Sequence, residues 1–294
     1  MMKNRLITGK TKVYGVIGYP ITHSLSPVMF NAAFEHCRLD SVYVAFPMSE
    51  KKIRVAWQGL GELSIQGLNV TSPLKEVVHS LCTSLTEAAN IVGAVNTVAF
   101  GPEGAIGHNT DGSGFLRSLI EDSGFEPQGA RVLMLGAGGA ARALAFTLAT
   151  AGVEQLFILN RTFGRAWTLS QETMLKAGRA VTADRLNQEQ LLRYLGMSDL
   201  LINTIPRHQL AESELVSWIQ QAGSIKPRLV ADLNYGIEPT ALLSAARDNG
   251  CAVMDGLGML VYQGAAAFEW WTGREAPVDV MRQAAESHLA LNVE

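Results

Sequence analysis

The 294-residue sequence is short of cysteine, of charge imbalance and of long apolar runs, and each shortage closes off a class of function. Its three cysteines, Cys37, Cys82 and Cys251, are odd in number and far apart. They suit reduced thiols of a cytoplasmic protein, not a disulfide framework or a zinc site. The formal net charge of −3 offers neither nucleic acid nor an anionic membrane a partner surface. No apolar run reaches the roughly 18 residues a membrane helix needs. The polar, basic stretch 1–12 has no apolar h-region behind it, so no targeting segment is expected. His108 and Asp111 have no third ligand at a supporting spacing, and no metal is expected.

What the chain does have is glycine, 28 residues of it, and 48% apolar residues, enough to bury the cores of two domains or one large one. The most informative stretch runs from Arg131 to Arg142. Val132 to Leu135 reads as a buried parallel strand, and Ala143 to Ala149 as a tightly packed helix. Between them, Gly136 permits a tight turn, Gly138 lets a pyrophosphate approach the backbone, and Ala141 lets helix and strand pack closely. Gly139 and Ala140 open the helix, whose N-terminal N–H groups suit phosphates. A glycine turn without a ligand is the plainer alternative, but strand, turn and helix arrive in the order a dinucleotide site requires.

The next strand, Gln155 to Asn160, decides which dinucleotide. A binder of NAD places a carboxylate at its end for the ribose 2′-hydroxyl. This chain has Asn160-Arg161-Thr162, with Arg165 close behind. A guanidinium grips a 2′-phosphate by a forked, charge-assisted pair, so NADP is the expected cofactor. The alternative is that Arg161 and Arg165 are solvated charges, although the dipole does not favour arginine in a first helical turn.

Earlier in the chain, Val13 to Gly18 reads as a strand running into Ser24-Leu25-Ser26-Pro27. In extended backbone, Ser24 and Ser26 share a face and can aim two hydroxyls at one anion. Alternatively Ser26 only caps the helix that Pro27 opens, and Ser24 is a solvated turn residue. A strand over 65–70 runs into Asn69-Val70-Thr71-Ser72-Pro73-Leu74-Lys75, with Pro73 in the first helical turn and Lys75 near the helix start. A cation there opposes the helix dipole, a setting suited to a lysine acid/base, while a surface lysine paired with Glu76 is the plainer reading. Asn96 is expected on an otherwise apolar strand, where it needs either core backbone or a ligand hydroxyl as partner.

Ser24-Leu25-Ser26-Pro27, Asn69 to Lys75, Gly93-Ala94-Val95-Asn96-Thr97 and Asn109-Thr110-Asp111-Gly112 resemble the successive signatures of the shikimate dehydrogenase family. Gly136 to Arg142 and Asn160-Arg161-Thr162 follow in that family's order, and the resemblance covers the chain from Tyr14 to Trp271. It implies NADP-linked, reversible oxidation of shikimate to 3-dehydroshikimate on the way to aromatic amino acids. Carried over, Lys75 and Asp111 form the catalytic pair, and Ser24 and Ser26 hold the substrate carboxylate. Asn69, Thr71, Asn96 and Asp111 contact ring hydroxyls, and Tyr235 and Gln263 also reach the substrate. Gly136, Ala137, Gly138, Gly139, Ala140, Asn160, Arg161, Thr162, Arg165, Gly256 and Met259 fall to the cofactor, and Thr204 is expected to face it from the tail of its strand, where ligands of a doubly wound sheet sit. Where the family reads Asn-Ala-Thr-Pro and a Gly-Met-like loop, Thr204 and Arg207-His208-Gln209 depart from it.

The expected fold is α/β: a discontinuous α/β substrate domain, 1–111 and 255–294, and a Rossmann-type doubly wound NADP-binding domain, 112–254. The expected partner is a small hydroxy acid, with the chain a monomer or homodimer. Three rivals are distinguishable. A related enzyme would prefer quinate or an aminated shikimate. A non-catalytic NADP-binding paralogue is disfavoured by the presence of both Lys75 and Asp111. A tRNA-linked reductase would need a cysteine nucleophile and a basic tRNA surface, neither visible here.

Overall fold

The structure, a computed structural model, describes residues 6–207, 212–221 and 227–291. The chain divides into two units, Met1–Thr110 with Gly264–Glu294, and Asp111–Gln263. In the first, chain order gives β1 (Lys12–Gly18), α1 (Ser26–His36), β2 (Ser41–Pro47), α2 (Glu50–Glu62) and β3 (Gly67–Val70). It continues through α3 (Lys75–His79), β4 (Ser84–Leu85), α4 (Glu87–Val92), β5 (Thr97–Gly101) and β6 (Gly104–His108). Its sheet runs β2-β1-β3-β5-β6-β4, with β1 parallel to both neighbours and β5 antiparallel to both of its own.

Part of the core of this unit is aromatic, beside an aliphatic cluster that includes Ile17, Leu68, Val70 and Val98. Phe30 and Tyr43 stack with ring centroids 4.4 Å apart, and Trp271 donates from Nε1 to the Val98 carbonyl at 3.0 Å. Gly67 admits that indole: a Cβ there would run into Trp271. Phe30, Phe34 and Phe268 are fully buried, each worth about 1.5–3 kcal/mol of apolar transfer.

The second unit holds α5 (Asp111–Glu121), β7 (Arg131–Leu135), α6 (Gly139–Thr150), β8 (Gln155–Asn160), α7 (Phe163–Ala177), β9 (Val181–Arg185) and α8 (Gln188–Leu195). There follow β10 (Leu200–Asn203), α9 (Glu212–Gln221), β11 (Leu229–Asp232), α10 (Ala241–Asp248) and β12 (Ala252–Met254). The all-parallel sheet, β12-β11-β10-β7-β8-β9, is doubly wound and reverses direction between β7 and β10. Ligands of such sheets bind outside the carboxyl ends of the strands at that reversal. The last helices are α11 (Leu257–Thr272) and α12 (Val278–Leu291), the latter packed on α1. The sequence-based division keeps all of α11 in the first domain, whereas the structural division runs through it at Gln263.

Candidate active site

In the first unit, the carboxyl ends of β1 and β3 carry most of the expected substrate residues. Thr71 follows β3; its N–H donates to the Ile17 carbonyl at 2.9 Å, and its methyl occupies the space that a Cβ on Gly18 would need. Leu74 N–H closes a turn onto the Thr71 carbonyl at 2.9 Å, and α3 begins at Lys75. Pro73 therefore lies in this turn and not in the first helical turn, because the turn takes two residues more than the sequence pattern indicated. Lys75 is half-buried, and its carbonyl accepts from Val95 N–H at 3.0 Å. That bond fixes the start of the short helix against the segment leading into β5.

Asn96 is not on a strand. Pairing with β3 begins at Thr97 opposite Asn69, and Asn96 lies just past the end of that ladder. The amide accepts from Thr110 N–H at 2.8 Å and donates to Thr110 Oγ1 at 2.9 Å. Asn109 donates to the Ala94 carbonyl at 2.9 Å. The Thr97 hydroxyl also donates to Asn96. Protein groups thus meet part of the hydrogen-bonding capacity of the Asn96 side chain. The segment 108–110 is thereby pinned by buried bonds to the residue immediately before Asp111, itself buried at the start of α5.

Ser26 is not the cap of α1. Leu25 occupies the N-cap with helical φ and ψ of −81° and −11°, and a capping side chain needs extended backbone there. Ser26 is buried inside the first turn and hydrogen-bonded to the phenol of Tyr43. Ser24 is half-buried, with its Oγ accepting a long 3.3 Å bond from Ser26 N–H. The Tyr43 phenol in turn donates to Asn69 Oδ1 at 2.7 Å, and Asn69 Nδ2 donates to the Asn96 carbonyl and Thr97 Oγ1, each at 3.2 Å. One line of bonds thus joins Ser26 to Asn69 through Tyr43, a residue that the sequence reading passed over. Burial pushes the Tyr43 phenol well above its ordinary pKa, outweighing the opposing pull of Ser26, so it remains a donor at neutral pH.

In the second unit, Gly136 has a φ of +107°, the left-handed region that favours glycine, and the Thr204 side chain occupies the space its Cβ would take. Thr204 donates from Oγ1 to the Leu135 carbonyl at 2.8 Å, tying the end of β10 to the end of β7 at the sheet's reversal. Gly138, the N-cap of α6, has extended backbone, and a Cβ there would meet nothing within 4 Å. Ala137 and Ala141 are buried, whereas Gly139 and Ala140 at the helix start are partly open. Neither α6 nor α7 has a side-chain cap bond or an acidic residue in its first turn, unlike α4 and α8. Both therefore present unneutralised N–H groups, the setting that phosphates take. Asn160 ends β8 and donates to the Thr162 carbonyl at 2.9 Å; Arg161, Thr162 and Arg165 are exposed. These features fit a dinucleotide bearing a 2′-phosphate.

The tails beyond β10 and β11 meet at a buried carboxylate. Asp232, 1% exposed, accepts from Asn203 Nδ2 (2.9 Å), Asn234 N–H (3.0 Å), Asn234 Nδ2 (2.8 Å) and Thr240 Oγ1 (2.8 Å). Asn234 passes the connection on, accepting from Arg207 N–H at 3.1 Å. His208 and Gln209 lie outside the described residues. Tyr235 is half-buried, and desolvation raises its phenol above the ordinary value, leaving it protonated. Gly256 admits the start of α11, because a Cβ there would overlap the Leu233 carbonyl. Met259 is buried, as is Gln263, whose Nε2 donates to the Leu260 carbonyl at 2.8 Å.

Three family profiles match the chain: shikimate dehydrogenase substrate binding domain over residues 16–98, shikimate/quinate 5-dehydrogenase over 119–241, and shikimate 5′-dehydrogenase C-terminal domain over 256–286. The shikimate dehydrogenase (NADP(+)) of Methanopyrus kandleri is 44% identical over 283 residues, covering 96% of this chain and 98% of its own. A crystal structure of a shikimate dehydrogenase in complex with NADP+ superposes with a TM-score of 0.83 at 34% identity, covering 97% and 98% of the two chains. That of Listeria monocytogenes shikimate 5-dehydrogenase, in complex with shikimate and NAD, also gives 0.83 at 34% identity, covering 96% and 98%.

Proposed function

This chain belongs to the shikimate dehydrogenase family, and from that premise we propose that it oxidises shikimate reversibly to 3-dehydroshikimate with NADP as its cofactor. The observation that carries the reading is the presence in one chain of Lys75 and Asp111 together with a β8 terminus, Asn160-Arg161-Thr162, that offers guanidinium where an NAD binder offers carboxylate.

When bound, NADP supplies the nicotinamide that takes up a hydride. The chain's own residues do the rest. Gly136, Ala137, Gly138, Gly139 and Ala140 cradle the pyrophosphate, and Asn160, Arg161, Thr162 and Arg165 hold the adenosine end. Thr204, Gly256 and Met259 flank the nicotinamide end. Ser24 and Ser26 bind the substrate carboxylate through their hydroxyls, while Asn69, Thr71, Asn96, Tyr235 and Gln263 orient the ring and its hydroxyls. Loss of hydride from a carbinol carbon leaves a ketone only if the hydroxyl proton also departs: hydride loss alone leaves a protonated carbonyl, and proton loss alone an alkoxide, each a poor intermediate in neutral water. Lys75 and Asp111 handle that proton as a coupled unit, and such a positioned acid/base contributes about 10²- to 10⁴-fold. In reduction the same pair returns the proton to the nascent alcohol.

The reading carries with it a cytoplasmic location, where the three free cysteines stay reduced, and a monomer or homodimer. No helix among the described residues is long and apolar enough to cross a membrane. A spectrophotometric screen of shikimate and quinate, each with NADP+ and NAD+, tests the proposal. Shikimate with NADP+ should give the highest kcat/KM; a preference for quinate, or no turnover with either acid, overturns it.

A further inference from the structure

The motif Asn160-Arg161-Thr162 puts its cations in the loop after β8, but the sheet brings in another arginine from outside it. The last residue of β9, Arg185, pairs in register with Asn160, the last of β8, and Leu186 N–H donates to the Asn160 carbonyl at 3.1 Å. Neighbouring strands lie about 4.8 Å apart, and in a parallel pair residues in register point to the same face. Side chains alternate along a strand, so the flanking Leu159 and Asp184 point the other way. Leu159 joins the core with Leu191 and Tyr194 of α8, and the Asp184 carboxylate accepts from the Tyr194 hydroxyl at 3.2 Å. Asp184 thus has one oxygen on the Tyr194 hydroxyl and the other on the Arg185 backbone N–H at 2.8 Å, while the Arg185 side chain emerges on the Asn160 side, exposed. The carboxylate of Glu172 on α7 is taken by Arg142. Arg161, Arg165 and Arg185 have no carboxylate in an ion pair with them among the described residues.

We infer that Arg185 is a third guanidinium of the 2′-phosphate site, reaching across from the carboxyl end of β9 to the phosphate held by Arg161 and Arg165. The inference rests on the NADP reading above and adds to it a residue from a different strand. It follows from charge and geometry. A phosphate dianion has more acceptor positions than two exposed arginines satisfy, the first turn of α7 carries no competing acid, and the adjacent strand end presents a cation at the same level. NAD+, with a neutral 2′-hydroxyl, gives Arg185 nothing to hold.

The test is calorimetric titration of NADP+, NAD+ and 2′,5′-ADP into the wild type, Arg185→Ala and Arg161→Ala, with melting curves as a check on folding. Arg185→Ala should weaken NADP+ and 2′,5′-ADP by about three- to tenfold, a range set by an exposed charge-assisted contact, and leave NAD+ unchanged. The loss should shrink as ionic strength rises. If Arg185→Ala leaves all three affinities intact, or weakens NAD+ as much as NADP+, the inference is wrong. Arg161→Ala separates the two failures. A selective loss there alone leaves the NADP reading standing and removes only Arg185, whereas no selective loss in either variant removes both.

Discussion

The phenol of Tyr43 donates a 2.7 Å hydrogen bond to Oδ1 of Asn69, and both side chains are buried. Because the same phenol is bonded to Ser26, one tyrosine orients two residues assigned to opposite ends of the substrate. Tyr43→Phe keeps the stacking on Phe30 and removes only the hydroxyl, leaving Asn69 Oδ1 short of a donor. Stability should fall by about 1–2 kcal/mol. The KM for shikimate should rise severalfold while that for NADP+ stays put. Thermal melts and steady-state kinetics check this; an unchanged shikimate KM would mean that the phenol serves packing alone.

Gly136 and Gly138 are two residues apart and should fail differently. Gly136 sits at φ +107° with the Thr204 side chain against it, so Gly136→Ala strains the backbone and pushes on the tie between β7 and β10. A fall in melting temperature should accompany its loss of cofactor binding. Gly138→Ala meets no protein atom and has an ordinary extended backbone, so the fold should keep its melting temperature. On the proposed placement of the cofactor the new methyl nevertheless stands where the pyrophosphate approaches, and NADP+ affinity should drop at least tenfold. Calorimetry on both variants distinguishes the two effects.

Asp232 should be among the costliest polar residues to replace. Asp232→Leu would leave the donors of Asn203, Asn234 and Thr240 without their acceptor, at about 1–3 kcal/mol for each that stays buried. A destabilisation above about 3 kcal/mol in denaturant unfolding is expected. Asp232→Asn, which keeps an acceptor oxygen, should recover part of it.

Arg161→Ala tests the cofactor preference itself. Only NADP carries the phosphate, so NADP+ should weaken by about 10- to 100-fold and NAD+ hardly at all. Equal losses for the two dinucleotides would remove the 2′-phosphate assignment.

The glycine turn was legible because its cause is local: Gly136 needs a positive φ and Gly138 an open approach, both set by neighbours in the chain. The place of Asn160-Arg161-Thr162 at the end of β8 was legible for the same reason. Errors came where one residue of register mattered. Ser26 looked like a cap, but Leu25 had already turned helical; Asn96 looked like a strand residue, but pairing begins at Thr97. The omissions were contacts between distant parts of the sequence. Tyr43 reads as a core aromatic until β1, β2 and β3 are assembled and Asn69 arrives beside it. Asp232 reads as the end of a strand until β10 is laid alongside, and Arg185 as a surface charge until β9 is paired with β8.

Lys75 carries the central claim, and steady-state kinetics of Lys75→Ala, with NADP+ affinity measured separately, tests it most directly. The account predicts a kcat for shikimate lower by about 10²-fold or more, with NADP+ affinity and melting temperature almost unchanged. Asp111→Asn should also cut kcat, and the double variant should be little worse than the poorer single one, as expected of groups acting as a unit. A Lys75→Ala protein that retains most of its turnover would contradict the account and return Lys75 to the status of a surface charge.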